Sequence, residues 1–443
     1  MFLQSVRKFF GHSKPLNEKP DLKKIRLTVV AFEDDCLNNS GQILAQHLCQ
    51  KNILAVTYYD ELLNKNFLDF ESRTFFDLID TGNQILKKTN SDVLIWGYRI
   101  DNKIRLNFQT SDQYKKPQTP FFSLLNSLYL PLEIFQQQTF SDSISELIFA
   151  GILTAYNKQE YLPILQQTVT KINNGAPPKN LSVDYMPYIL NLLALAYLNS
   201  VRNKPEKNDV KIIASLLRNA LNFLKNDKKS VDEGLIYTNL GQLFHLASDF
   251  AIDDKYASCK MAIDFYLLSQ KYFNRYSYPY DFAFTSYRLS ELYFDYWKYT
   301  SDIQALRDAV FQLREALKIF SNTVFPKIWA DIQNKLGLYL SMMAVFSKND
   351  EIGMMAIDNY KNYQSVYTKE IYPVNWAKAE ENIANIYFEC GKIFNNEDYF
   401  EDALTHYVQA LDLYNEHNLQ EQIRQTNLSV LKTQEYLIRF SQY

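Results

Sequence analysis

Glu33-Asp34-Asp35 is the one run of three acidic residues in the chain, and it closes a short apolar stretch. At the carboxyl end of a strand such a cluster can hold Mg2+ through oxygen ligands. That chemistry also asks for an acid at the end of the third strand, where the sequence reads Trp96-Gly97-Tyr98. The bland reading is a solvated loop, and Glu33, Asp34 and Asp35 stay weak metal candidates. His12, His47, His245, His406 and His417 form no H-E-x-x-H and no metal-like spacing. With 11 glycines there is neither a G-x-G-x-x-G nor a G-x-x-x-x-G-K, and no G-x-S-x-G elbow. Cys36, Cys49, Cys259 and Cys390 stand apart, with no C-x-x-C pair. No catalytic residue and no cofactor are expected.

The composition supports a different kind of function. Of 443 residues 47% are apolar, with 32 Tyr and 30 Phe against the few glycines. Scarce glycine and abundant large rings favour helices packed on helices. A net charge of −3 argues against a general nucleic-acid binder, which needs a basic face to displace counterions. Isolated cysteines fit a reducing compartment. No apolar run reaches 18 residues, so no transmembrane helix is expected. With no signal-peptide core either, the expected location is the cytoplasm.

After residue 205 only Pro279, Pro326 and Pro373 remain, each 47 residues from the next. Each is followed by an aromatic-Ala pair: Phe282-Ala283, Trp329-Ala330 and Trp376-Ala377. A second series keeps the same period, in Ala262, Ala309, Ala356 and Ala403, with Tyr266, Leu313, Tyr360 and Tyr407 four residues on. Proline suits a helix start, where its missing N–H costs nothing. Small alanines let two helices approach closely. Each unit is therefore a helical hairpin that stacks on its neighbours. The period predicts hairpins at 183–228, 231–275, 278–322, 325–369 and 372–416, the first two degenerate, with a capping helix near 418–440.

Asn334-Lys335-Leu336-Gly337, Ala309…Ala316 and Ala403…Tyr407…Ala410 resemble the signatures of the tetratricopeptide (TPR) repeat, over roughly residues 183–440. The usual TPR period is 34, so 47 implies a longer hairpin. The W-A-x-x-x-x-x-L-G form after a proline resembles a long-repeat variant of bacterial proteins. In TPR-like proteins peptide contacts come from the first helix of each hairpin. Carried onto this chain, the resemblance implies a concave groove lined by Thr238, Gln242, Tyr287, Glu291, Asn334, Lys378, Glu381 and Asn385. Trp329, Trp376 and Phe282 read as inter-repeat core.

Residues 25–135 read as a small α/β module. IRLTVVAF, ILAVTYYD and DVLIWGYRI are strands, and Asp101-Asn102 turns the third into an antiparallel fourth, KIRLNFQT. Ser40 is placed to cap a helix ending at Cys49, and helical spacing covers 70–88. The order is β-α-β-α-β-β, with a fifth strand expected between 121 and 130. The run from Asp92 to Gly97, in that order of elements, resembles the α/β module of Tol-type and curli-secretion-type envelope proteins, and modules ahead of bacterial TPR arrays. In those modules the layer is usually a docking surface. A connector with Pro117, Pro120 and Pro131 and a Ser-capped helical segment (140–182) lead to the repeats.

Residues 1–26 carry seven Lys/Arg against Glu18 and Asp21, with Phe2, Leu3, Val6, Phe9 and Phe10 near one helical face. Such a basic amphipathic tail (1–24) suits contact with an anionic membrane or a partner. The expected whole is a mainly α, TPR-like α-solenoid at 183–443 behind a small α/β domain. Its expected function is a non-enzymatic scaffold for a protein or peptide partner, with no nucleic acid and with room for a homo-oligomer. Two alternatives stand beside it: a regulated enzyme or nucleotide or metal sensor at the strand ends, and a membrane-peripheral assembly factor.

Overall fold

The computed structural model describes residues 24–33, 35, 39–62, 72–111, 126–156, 158–172, 177–224 and 230–440. The basic tail up to Lys23, Asp34, Phe70, Pro117 and Pro120 lie outside the described residues. The described chain is mostly helical, with one five-stranded mixed sheet near its amino terminus. It divides into two compact units, Met1–Asp281 and Phe282–Tyr443.

In the first unit the strands are β1 (Ile25–Ala31), β2 (Leu54–Leu62), β3 (Val93–Ile100), β4 (Lys103–Gln109) and β5 (Leu128–Pro131), in sheet order β2-β1-β3-β4-β5. β1 lies parallel to β2 and β3, while β3–β4 and β4–β5 are antiparallel. The alternation of apolar residues and the β-branched run 28–30 make β1 a buried central strand. Asp101 sits at φ 50 in the two-residue turn that pairs Ile100 with Lys103. The fifth strand thus falls at 128–131, at the end of the span expected for it and one residue beyond.

Helices α1 (Ser40–Cys49) and α2 (Ser72–Thr89) make the two parallel crossovers. Ser40 is not the cap of α1. Asn39, at φ 48, is the capping residue, and the Ser40 amide N–H donates to Asp35 Oδ2 at 2.7 Å. The carboxylate satisfies the first amide of the helix, a donor that the Ser40 hydroxyl cannot reach. After the short helix α3 (Leu132–Gln136), α4 (Asp142–Ala155) is capped by the Ser141 hydroxyl, which accepts from the Ile144 N–H. Its Gly151 lies flat on the Phe108 ring, where a Cβ would come within 2.1 Å. Next come α5 (Leu162–Ile172) and two hairpins, α6 (Met186–Val201) with α7 (Lys207–Leu224), and α8 (Val231–Asp249) with α9 (Lys255–Ser269).

The next helix, α10 (Pro279–Thr300), begins in the first unit and runs through the start of the second. With it the second unit holds α11 (Ile303–Leu317), α12 (Pro326–Ser347), α13 (Asp350–Gln364), α14 (Pro373–Phe394), α15 (Glu397–Glu416) and α16 (Gln420–Phe440). Pro326 and Pro373 occupy first-turn positions, and Ala309, Ala356 and Ala403 have no exposed surface. The two repeat series meet inside each hairpin. A Cβ on Gly337 would stand 2.8 Å from the Tyr360 ring, so the glycine is the seat of that tyrosine. Gly241 seats Tyr266 in the same way in the first unit. One period after Gly337 the seat is Ala384, clustered with Ala403 and Tyr407.

The turns repeat as well. Ser301, Lys348 and Asn395, spaced by 47, are left-handed at φ 56, 49 and 50. The next residue, Asp302, Asn349 or Asn396, caps the following helix through its side chain. Between hairpins, Phe320–Phe325 and Tyr367–Tyr372 meet edge-on at 5.3 and 5.0 Å. Each such ring pair contributes roughly 0.5–1.5 kcal/mol beyond its burial. Trp329 and Trp376, expected in the core, are half-buried, and Trp376 covers the Ala377, Ala410, Leu413 and Tyr414 cluster.

Candidate functional site

Of the acidic run, Glu33 takes part in the sheet through its backbone and Asp35 bonds to the start of α1. Glu33 extends β1 by a bridge to Tyr98: its N–H donates to the Gly97 carbonyl, and its own carbonyl accepts from the Arg99 N–H, both at 3.0 Å. Those bonds zip the gap between β1 and β3, where a doubly wound sheet would open its ligand crevice. Asp35 is buried and caps α1.

Of the expected groove residues, three are instead interior. Thr238 has no exposed surface, and its hydroxyl is shared between the Gly234 carbonyl and the Ser269 hydroxyl across the α8–α9 hairpin. Gln242 is buried and donates to Asn239 Oδ1 at 3.0 Å. Asn239 in turn donates to Asn191 Oδ1 at 2.7 Å, and both reach Asn126, just before β5. Tyr287 is also buried, beneath the cations of Arg288 and Lys335, and burial holds its hydroxyl far above the usual phenol range. Period alone could not place these three, because the face a first helix offers to its own hairpin lies one position from the face it offers outward.

Glu291 is partly exposed but engaged, with Arg288 at 2.8 Å and Lys335 at 3.0 Å. Glu381 accepts from the hydroxyls of Tyr414 and Thr426, tying α14 to α15 and α16. Asn334 is half-buried, while Lys378 and Asn385 are exposed.

Asn385 opens onto a cleft of about 110 Å3 between α12 and α14. Leu338, Met342 and Val345 of α12 and Ile386, Ile393 and Phe394 of α14 supply its apolar lining. Leu338, Met342, Val345 and Phe394 each keep more than a third of their surface exposed. Three, four and seven residues separate the α12 positions, so they form one stripe on a helix. Polar groups stand on the α14 wall: Asn382, Asn385 and Glu389, the last paired with Lys392 at 2.8 Å. Asn385 Oδ1 accepts from the Tyr407 hydroxyl at 2.6 Å. With its oxygen bonded to Tyr407, Asn385 still carries two N–H donors on its amide nitrogen. Cys390, at the cleft floor, is buried, and burial pushes its thiol up to about 11, so it lines the cleft as a neutral thiol. An apolar trough with a few oriented amides can hold extended backbone: the amides bond to peptide groups and the trough takes side chains. Asn385 was legible in the sequence, whereas the apolar wall of α12 was not singled out.

No protein-family model matches the chain, and no curated protein matches it. Among solved structures, the crystal structure of BtubC (BKLC) from P. vanneervenii matches over 63% of this chain and 93% of that one, at 16% identity and a TM-score of 0.37. A likeness that distant carries no argument about fold or function. No helix among the described residues is long and apolar enough to cross a membrane.

Proposed function

We propose that the chain is a TPR-like scaffold that binds an extended peptide or protein segment on the first-helix face of its carboxyl-terminal hairpins, without catalysing a reaction. The observation that carries this reading is the α12–α14 cleft, in which Asn385, held by Tyr407, stands over an apolar trough. The 47-residue period supports the TPR-like assignment through the Gly337–Tyr360 and Ala384–Tyr407 seats. The α/β layer is then a second docking surface, with Glu33 pairing in the sheet through its backbone and Asp35 bonded to the first amide of α1.

The test is a peptide-array screen with the full chain, followed by affinity measurements on the peptides that bind. Asn385→Ala should weaken them about tenfold, the cost of one or two well-placed hydrogen bonds, with an unchanged helical circular dichroism spectrum. Peptides that bind wild type and variant equally would move the site elsewhere.

A further inference from the structure

Helix α16 packs on the α14–α15 hairpin through one face and exposes apolar side chains on the other. Its inner face is fully used: Ile423 and Val430 pack on the α14–α15 clusters, Thr426 and Thr433 have no exposed surface, and Tyr436 stacks on Phe400 at 4.9 Å. Its outer face carries Leu428, Leu431 and Ile438, which are 48%, 56% and 56% exposed. Together with Glu421, Arg424 and Glu435 they share one helix face at 3-4-3-4-3 spacing, with the two leucines at its centre and a charge on either side of them. The helix has 21 residues, enough for more than two heptads.

We propose that this face of α16 pairs antiparallel with the same face of a second copy of the chain. The charges decide the orientation. A parallel, in-register pair would set Arg424 against Arg424, Glu435 against Glu435 and Glu421 against Glu421, all repulsive. An antiparallel pair that places Leu428 beside Leu431 of the second copy also places Arg424 beside Glu435 of the second copy. Two-fold symmetry makes each contact twice, so four leucines form the centre, an ion pair flanks them at each end, and beyond it Ile438 lies beside Glu421 of the second copy. Arg424 is already bonded to Glu421 on its own helix, at 2.7 and 3.1 Å. That pair is exposed on both sides and holds the guanidinium along the seam rather than burying it. A guanidinium has five N–H donors, so a second carboxylate can share it.

Sedimentation velocity on the full chain across the micromolar range tests this. A reversible dimer is expected, and Leu428→Glu with Leu431→Glu should abolish it without altering the helical spectrum, since both side chains lie outside the core. Arg424→Glu alone and Glu435→Arg alone should each weaken dimerisation by about tenfold or more through like-charge contacts. The double variant should restore it, and an equimolar mixture of the two single variants should pair. A monomer throughout the range, or a dimer indifferent to the leucine substitutions, overturns the proposal. Single variants that weaken pairing without rescue in the double variant or the mixture overturn the antiparallel register.

Discussion

The hairpin interiors and the junction between the α/β layer and the first hairpins solve the packing of helices by different means. Within hairpins a ring meets a small residue, as in Tyr360 on Gly337, Tyr407 with Ala384 and Tyr266 on Gly241. In the first unit, the junction between the α/β layer and the hairpins runs through polar groups. Asn126, Asn191, Asn239 and Gln242 form a buried amide chain. Nearby, buried Arg105 donates to Ser127 at 2.8 Å and to the Tyr98 hydroxyl at 2.5 Å, with the Tyr98 and Tyr129 rings alongside. Apolar seats tolerate repetition because they carry no direction. A buried amide chain fixes one arrangement, since each lost partner leaves a desolvated group behind.

That contrast can be broken most forcefully at Tyr360. Tyr360→Ala should cost about 3–5 kcal/mol, because the cavity above Gly337 has no side chain to refill it. Urea unfolding measures it, and a loss under 1 kcal/mol would mean that the seat is not a packing centre. Asn239→Leu sharpens the other side. It leaves Asn191 Oδ1 and Gln242 Nε2 without their partner, at about 1–3 kcal/mol for each orphaned group. A neutral result in the same measurement would show that the amide chain is dispensable. Smaller still is Asn349→Ala, which removes the side-chain cap of α13 and should lower stability by about 1 kcal/mol.

The expected pH effects differ in sign between the units. Burial lowers His47 from 6.5 to about 4, so between those values the folded chain binds fewer protons than the unfolded one. His47 therefore favours folding above pH 6.5 and loses that contribution as pH falls toward 4. Burial raises Asp331 from 3.8 to about 6, so here the folded chain binds more protons, and the contribution is lost as pH rises through 6. His47→Gln should lessen the loss of stability from pH 7 to pH 5, and Asp331→Asn should raise stability more at pH 7 than at pH 5. Urea midpoints at the two pH values decide it, and variants that keep the wild-type pH dependence would contradict both assignments.

The repeated half of this molecule was legible because repetition writes packing into sequence. Pro326, Pro373 and the alanine series mark helix starts and close approaches without reference to a partner. The seats at Gly337 and Ala384 are visible as small residues on the same period. The strands β1 to β4 were legible from branched residues and the Asp101-Asn102 turn. Partner choice within the interior was not. Thr238, Gln242 and Tyr287 lie on first helices, as groove residues should, but a slight rotation about the helix axis turns them inward. The cap of α1 was misread for a related reason: Ser40 has the right type, while the helix begins after Asn39 and its first amide bonds to Asp35, five residues earlier. The exposed stripe of α12 was not singled out because leucine, methionine and valine carry no mark of exposure.

Val345 and Phe311 offer the most direct test of the central claim. Both are exposed aliphatic or aromatic side chains of the second unit, at 42% and 56%, but Val345 lines the cleft on α12 and Phe311 lies on the second helix of its hairpin, α11. Titration calorimetry of an array-selected peptide against Val345→Glu and Phe311→Glu in the full chain compares the two faces. The account predicts at least about a tenfold rise in Kd for Val345→Glu and no change for Phe311→Glu. Equal affinities for the two variants, or a loss confined to Phe311→Glu, would contradict it.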